Sequence, residues 1–210
     1  KRDFKIAEEE AVDIVFNPDI CEMYPDGFET FVSVPELSKY LCGISRPSHF
    51  QGVATVVAKL FNTVKPNVAI FGEKDFQQLL IIKRMVRDMN FDIDIVGMPT
   101  VREEDGLAMS SRNSYLDIKE RKASLCIYRI IIMAKDMFDR GVRDATNILK
   151  ELIKIIDSEP LAMIDYVKIC DTDTLEDVLY IKDKALLAIA VWVSRARLID
   201  NCILGDTMKL

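Results

Sequence analysis

The stretch NVAIFGEKDFQQ, residues 67–78, decides the fold class of this 210-residue chain. Its first five residues form a short apolar run that predicts a buried strand, and an apolar pattern with helical spacing begins at Phe76. Gly72 stands at the exit of the strand, and Lys74 stands just before the helix. Open α/β sheets build anion sites in this way, because free backbone N–H groups and the positive end of the helix dipole face the ligand. The lysine adds a mobile charge suited to phosphate.

Strand and helix patterns alternate on both sides of this stretch. Strands are predicted at 12–16, 30–34, 67–71 and 93–96, and helices at 36–41, 50–64 and 75–89. The opening residues 1–10 also have the pattern of a helix, one that looks like the middle of a longer element. The alternation favours a parallel, doubly wound α/β sheet.

The pattern changes after Pro99. Helices are predicted at 117–138 and 144–156, and strands at 164–169, 186–193 and 197–203. Two helices followed by strands of antiparallel type predict a small α+β domain. We therefore expect a nucleotide-binding domain over residues 1–100 and a C-terminal domain over residues 101–210.

The composition excludes several classes of partner. A net charge of -6 argues against nucleic acid, because binding to a phosphate backbone needs a basic surface. No apolar run is long enough to span a bilayer, so no membrane association is expected. The five cysteines lie at no metal-ligand or redox spacing, which predicts free thiols in the cytoplasm.

Two loops hold candidate ligand-binding residues. The loop 72–75 is neither a Walker A loop nor a dinucleotide fingerprint, so it is either a phosphate loop or a helix start that Asp75 caps. The loop GLAMSSR, residues 106–112, offers two hydroxyls and a guanidinium that can bind phosphate, or else it is a polar turn. Two such loops in one chain indicate an enzyme that handles nucleotides.

Three further residues are candidates for the same site. Gln78 lies near the carboxyl end of the predicted strand, where it can bond a substrate, or it is a surface amide. Arg46 and His49 precede the predicted helix 50–64, so the imidazole can lie beside a phosphate, or it is structural. A single histidine and no cysteine cluster argue against a dedicated zinc site, whereas Mg²⁺ held by nucleotide phosphates is compatible with the sequence.

Five motifs, in this order along the chain, closely resemble the pantothenate synthetase (pantoate–β-alanine ligase) family. They are RPSHFQGV at 46–53, VVAKLF at 56–61, FGEKDFQQ at 71–78, DGLAMSSRN at 105–113 and RLIDN at 197–201. The resemblance implies a Rossmann-like domain of the HIGH-motif nucleotidyltransferase type, followed by an α+β lid domain with an antiparallel sheet. It implies a cytoplasmic homodimer that uses ATP and Mg²⁺.

The resemblance also implies a reaction in the pathway to coenzyme A. Pantoate first reacts with ATP to give pantoyl-adenylate and pyrophosphate, and β-alanine then displaces AMP to give pantothenate. By carry-over, the implied catalytic residues are Lys74 and Arg112. The implied ATP-binding residues are Gly72, Glu73, Lys74, Asp75, Val101, Met109, Ser110, Ser111 and Arg112. The implied pantoate-binding residues are Phe71 and Gln78, with Arg46 and His49 in support and Asp3 as a metal ligand.

One part of the family pattern is absent from this sequence. The first strand, its HxGH-type loop with two histidines and a later glutamine have no counterpart here, so we expect material upstream of Lys1. Two alternatives to the ligase therefore stay open. One is a nucleotidyltransferase acting on a phosphate-bearing small molecule, and the other is a non-catalytic module that binds ATP and dimerises.

Overall fold

The structure is a computed structural model that describes residues 2–205. Its α-helices and strands follow in this order: α1 Arg2–Glu9, α2 Ile20–Met23, α3 Pro35–Ser38, α4 Cys42–Ser45, α5 His49–Val64, β1 Val68–Gly72, α6 Phe76–Asp88, β2 Asp94–Met98, α7 Ile118–Ser124, α8 Cys126–Asp139, α9 Ala145–Asp157, β3 Ala162–Cys170, β4 Ala185–Val193 and β5 Ala196–Leu204. Two 3₁₀ turns, Glu73–Asp75 and Ser111–Tyr115, lie in the predicted ligand-binding loops.

The first half of the chain contains a two-stranded parallel sheet. Strands β1 and β2 pair from Val68↔Asp94 to Gly72↔Met98, and α6 connects them as the crossover helix. Helix α5 ends at Val64, and the next residue, Lys65, takes a left-handed conformation (φ 51°) immediately before Pro66. The side chains of α5 and α6 that face each other form an apolar cluster, against which one face of the sheet packs. The predicted α/β unit is therefore confirmed.

The two strands predicted at 12–16 and 30–34 are wrong. Residues 12–16 form an irregular segment in which Ile14 is 83% exposed, so no core stabilises a strand there. In the second segment, the backbone N–H of Val32 donates to the Thr55 hydroxyl of α5 at 2.9 Å. Its backbone is thus satisfied by a helix side chain instead of a sheet ladder.

The second half contains helices α7 to α9 and a three-stranded antiparallel sheet in the order β3-β4-β5. The central strand β4 is almost wholly buried, as its continuous apolar sequence predicts. The single long helix predicted at 117–138 is instead divided at Leu125, whose N–H donates to the Lys122 carbonyl three residues back. The largest apolar core lies between α8, α9 and this sheet.

A second apolar cluster joins the two halves of the chain. It contains Leu37, Leu41, Phe50 and Ile81 from the first half and Cys170, Leu175, Leu186 and Ala188 from the second. The predicted division at residue 100 stays a proposal. It is supported by the position of the antiparallel sheet, which lies entirely after β2 in the chain.

Among residues 2–205, no helix is both long and apolar enough to cross a membrane.

We expect the core between α8 and the antiparallel sheet to dominate stability. Replacing Ile130, which is fully buried, with alanine should lower the free energy of unfolding by about 2–5 kcal/mol, because a cavity is left in a packed core. Urea denaturation monitored by circular dichroism measures this change.

Ile132 is the matched control, because it lies on the same helix and is 47% exposed. Ile132→Ala should cost less than about 1 kcal/mol. Equal losses for the two variants would show that this cluster is not the main core.

Candidate functional site

The loop that follows β1 is held in place by the last strand of the chain. Gly72 ends β1, Glu73–Asp75 form the 3₁₀ turn, and α6 begins at once with Phe76. The side-chain amide of Asn201 on β5 donates to the carbonyl oxygens of Glu73 at 2.9 Å and Lys74 at 2.8 Å. These two bonds fix the turn to the antiparallel sheet, so the position of Lys74 depends on a residue 127 positions away.

The neighbouring Asp200 makes a second connection across the molecule. Its carboxylate accepts two hydrogen bonds from the Arg102 guanidinium, at 2.7 and 3.1 Å, and its side chain is 1% exposed. Burial raises the pKa of Asp200 above its ordinary value, and the Arg102 charge opposes this shift. A buried carboxylate needs such a partner, since an unpaired charge in this position is strongly destabilising.

The second predicted loop has a defined structure. Met109 donates its N–H to the Val101 carbonyl at 2.9 Å, so these two predicted ATP-binding positions lie side by side. Gly106 has φ 91°, and a Cβ there would lie 2.1 Å from the Tyr128 ring, so this turn admits only glycine. The buried Asn113 donates to the Ala108 carbonyl at 3.0 Å and thereby fixes the base of the loop.

An ion-pair network holds the outer part of this loop. The Arg121 guanidinium of α7 contacts Asp105 and Glu103, each at 2.7 Å. These bonds lower the pKa of both carboxyls below the ordinary values, mainly through hydrogen bonding to Arg121. The outer part of the loop is therefore tied to α7 by side chains of the protein itself.

The two loops face one cavity of about 250 Å³, which we call the main cavity. Lys74 and Asp75 from the first loop and Arg112 from the second lie on its wall. Polar and charged residues that also line it are Arg46, His49, Gln77, Gln78, Tyr166, Arg197, Asp200 and Asn201. Side chains from both halves of the chain thus surround a single space.

The electrostatics of the main cavity favour an anion. Burial lowers the pKa of the Lys74 amine, and the Arg112 guanidinium lowers it further, while Asp75 and Asp200 act in the opposite direction. Burial also lowers the pKa of His49, and the positive charge of Arg46 lowers it further. A bound anion would reverse these shifts, because a nearby negative charge stabilises each protonated form.

Not all the predicted site residues reach the main cavity. Gly72, Glu73, Val101, Met109, Ser110 and Ser111 belong to the loops that flank it but are absent from the wall formed by the described residues. Phe71 packs on the α5 side of the sheet, with its ring 6.4 Å from that of Phe61. Asp3 lies exposed on α1 and is not on the wall.

Several residues on the wall were not predicted individually from the sequence. The buried Gln77 donates to the carbonyls of Leu37 and Tyr40 at 2.9 and 2.8 Å, so it supports the chain leading into α4. Arg197 pairs with Asp165 at 2.7 Å on the opposite side. The RLIDN motif at 197–201 was the one available signal for Arg197, Asp200 and Asn201, and its role emerges only from their contacts.

Known proteins with similar sequences all belong to one family of ligases. The family model described as pantoate-beta-alanine ligase matches residues 1–203. The pantothenate synthetase of Syntrophus aciditrophicus is 54% identical over 209 residues, which are 100% of this chain and 73% of that protein. The pantothenate synthetase of Thermotoga petrophila is 52% identical over 205 residues, covering 98% of this chain and 73% of that protein.

Solved structures of pantothenate synthetases are similar to this chain. Pantothenate synthetase from Thermus thermophilus superposes with a TM-score of 0.92 and 44% identity, over 96% of this chain and 73% of that one. Pantoate-beta-alanine ligase from Francisella tularensis, crystallised in complex with beta-gamma ATP and beta-alanine, gives a TM-score of 0.77 and 32% identity over 96% of this chain and 69% of that one.

Fold and site together define an ATP-using ligase. A positively charged cavity at the carboxyl end of a parallel sheet is the usual place for a nucleotide in such a protein. The chain belongs to the pantoate–β-alanine ligase family, and its activity is the ligation of pantoate to β-alanine. The expected family, fold and reaction are thus confirmed.

We expect Asn201 to support ATP use through the loop that it holds. Asn201→Ala removes both hydrogen bonds to the 73–74 carbonyls, so the KM for ATP should rise about tenfold and the free energy of unfolding should fall by about 1–3 kcal/mol. Steady-state kinetics with varied ATP and urea denaturation measure the two effects.

Asn62 serves as the control, because it is an exposed asparagine on α5. Asn62→Ala should leave the KM for ATP unchanged. An unchanged KM for ATP in Asn201→Ala as well would contradict the positioning role.

Proposed function

We propose that the main cavity binds the triphosphate of ATP between the two loops. Lys74 and Arg112 are the residues that we assign to the phosphates, with the turn Glu73–Asp75 and the loop residues Met109 to Ser111 around the nucleotide. The observation that supports this assignment is that Lys74 and Arg112 line the same space. Burial lowers the pKa of Lys74 there, Asp75 and Asp200 oppose the shift, and the Arg112 charge adds a smaller contribution in the same direction as burial. Two cations that face each other in this way are stabilised by a bound polyanion.

The reaction that we propose begins with an in-line attack. The pantoate carboxylate attacks the α-phosphorus of ATP, a P–O bond forms, and the bond to pyrophosphate breaks. Negative charge accumulates on the leaving group, which Lys74 and Arg112 stabilise electrostatically. The amine of β-alanine then attacks the acyl carbon and loses a proton, and AMP leaves with the electron pair of the broken C–O bond.

Pantoate is assigned to the part of the main cavity lined by Gln78. Its side-chain amide can donate to a carboxylate or hydroxyl, and it is available on the cavity wall, whereas the adjacent Gln77 is fully engaged with backbone groups. Phe71 supports this region through the packing of β1 rather than from the wall. Arg46 and His49 lie on the wall beside it in the supporting role that we expect for them.

Magnesium is the ion that we assign to the phosphates. Among the described residues no cluster of three or more His, Cys, Asp or Glu could hold a metal by itself. Mg²⁺ bound to a nucleotide needs only one or two carboxylates beside phosphates and water, and Asp75 on the wall fits that requirement. The bound ion would neutralise phosphate charge. Asp3 stays a prediction from the resemblance.

Three broader features belong to the same proposal. We assign a homodimer that forms through the first domain, where Val68, Ile70, Val96 and Met98 leave one face of the β1–β2 sheet apolar and exposed. Residues 101–210 are assigned as a lid that places Arg112 over ATP. Location in the cytoplasm is consistent with the free thiols of the five cysteines.

We expect the protein to exchange labelled pyrophosphate into ATP only when pantoate is present. Lys74→Ala should reduce kcat/KM for ATP in this exchange by about 10²–10³-fold, because one phosphate-binding charge is lost. The free energy of unfolding should stay the same or rise slightly, since the buried Lys74 ammonium is costly in the free protein.

Lys83→Ala is the matched control, because Lys83 lies exposed on α6, the helix that follows the first loop. It should exchange at the wild-type rate. Exchange without pantoate would favour a nucleotidyltransferase, and ATP binding with no exchange would favour the non-catalytic module. An unchanged rate in Lys74→Ala would reject its phosphate role.

A further inference from the structure

Gln77 and Gln78 are adjacent residues in the first turn of α6, and the fold uses them differently. The amide of Gln78 is available on the wall of the main cavity, whereas Gln77 is only 6% exposed. The amide nitrogen of Gln77 donates to the carbonyls of Leu37 and Tyr40 at 2.9 and 2.8 Å, and its amide oxygen accepts from the Cys42 N–H at 3.1 Å. Both polar atoms of this buried side chain are thus bound to the backbone of one turn.

The turn that Gln77 binds, residues 37–42, has a strained backbone, and we call it the glutamine-bound turn. Leu41 has φ 45° and ψ -118°, a conformation that glycine adopts readily and leucine rarely. Gly43 follows, and a Cβ there would lie 1.6 Å from the Ser38 carbonyl oxygen, so only glycine permits this close approach. Strain of this kind persists where bonds and packing enforce it, and here they are the bonds of Gln77 and the burial of Leu41 between the two halves of the chain.

A continuous series of backbone hydrogen bonds leads from the glutamine-bound turn to the main cavity. The Cys42 carbonyl accepts from the Arg46 N–H at 3.1 Å, and the Arg46 carbonyl accepts from the His49 N–H at 3.0 Å. Arg46 and His49 both line the main cavity. Together with the bond from Cys42 to Gln77, these contacts connect α6 to two basic side chains on the cavity wall.

The start of α6 therefore has two connections to the main cavity. On one side, the 3₁₀ turn that contains Lys74 runs directly into the helix, and Gln78 lines the cavity from the first helical turn. On the other side, Gln77 holds the path to Arg46 and His49. Groups that contact one ligand need a fixed spacing, because a misplacement of about 1 Å can lower a rate about 10²-fold. One turn of helix sets that spacing on both sides.

We propose that Gln77 is a positioning residue for the reaction, which acts through the glutamine-bound turn to set the distance of Arg46 and His49 from Gln78 and thereby the affinity for pantoate. This inference rests on the proposed function, which assigns Gln78 to pantoate and gives Arg46 and His49 a supporting role. Gln77 acts through these residues, since the polar atoms of its own amide are bound to backbone groups.

The first test uses Gln77→Met, which keeps the length of the side chain and removes all three bonds. The KM for pantoate in pyrophosphate exchange should rise about tenfold, because the strained turn relaxes and the two basic side chains lose their positions. The KM for ATP should stay near the wild-type value, since the Asn201 bonds to the 73–74 carbonyls remain. Gln51→Met is the matched control, because Gln51 is exposed on α5, and it should change neither value.

A loss of stability alone would not give this pattern. Ile130→Ala weakens the separate core of the second half, and it should leave both KM values unchanged. An equal rise in the KM for pantoate in Ile130→Ala, or an unchanged KM for pantoate in Gln77→Met, would overturn the proposal.

The second test follows the position of His49 directly and does not need turnover. His49 is the only histidine in the chain, so NMR titration of the untagged protein observes one imidazole. Burial and then the Arg46 charge lower its pKa, and Asp75, Arg112 and Arg197 also act on it. In Gln77→Met the pKa should rise towards the ordinary value of histidine, because the ring gains contact with water. Gln51→Met should leave it unchanged.

The two tests separate the two levels of the proposal. Absence of pantoate-dependent exchange in the wild-type protein would reject the proposed function, and the titration then decides separately whether Gln77 positions His49. An unchanged pKa of His49 in Gln77→Met would overturn the positioning role whatever the kinetics show.

Hydrogen exchange in the wild-type protein tests the same path if Gln77→Met does not fold. The amides of Cys42, Arg46 and His49 should be protected to a similar degree, because they open together with one turn. Fast exchange at Cys42 beside protected amides at Arg46 and His49 would show that Gln77 does not hold them, and would overturn the proposal.

Discussion

The Asp200–Asn201 pair on β5 is the constraint on which the active site depends. The Asn201 amide holds the backbone of the turn after β1, and the Asp200 carboxylate holds Arg102 in the segment that follows β2. Two adjacent residues of one strand thus fix the positions of both candidate loops relative to the antiparallel sheet. The bonds lie in a partly buried region, where loss of a partner leaves polar groups unsatisfied and is costly.

These contacts help to explain how the protein holds several positively charged side chains around one cavity. Lys74 and Arg112 repel each other, so packing must hold them close together. The apolar cluster that includes Phe50, Ile81 and Leu186 joins the two halves of the chain beneath the cavity, and its burial supplies the stabilisation. Under the proposed function, a bound polyanion would relieve the repulsion among these cations.

Local sequence patterns predicted the fold well where an element is long and packs on one face, as for α5, α6, α9 and β4. They failed at 12–16 and 30–34, because a short apolar run forms a strand only if a partner strand and a core are available.

Lys74, Arg112 and Gln78 were predicted from their loop positions and the resemblance. Gln77, Arg197 and Asn201 were not, since their roles arise from contacts between distant segments, and the side chain of Phe71 proved to serve the core.

Under the proposed function, both loops bind one triphosphate. A crystal structure of the protein with a non-hydrolysable ATP analogue and Mg²⁺ tests it most directly. We expect Lys74 Nζ and a guanidinium nitrogen of Arg112 each to lie about 2.7–3.2 Å from phosphate oxygens of the same nucleotide, with the Asn201 bonds to the 73–74 carbonyls preserved. A nucleotide whose phosphates contact only one loop, or neither, would contradict it.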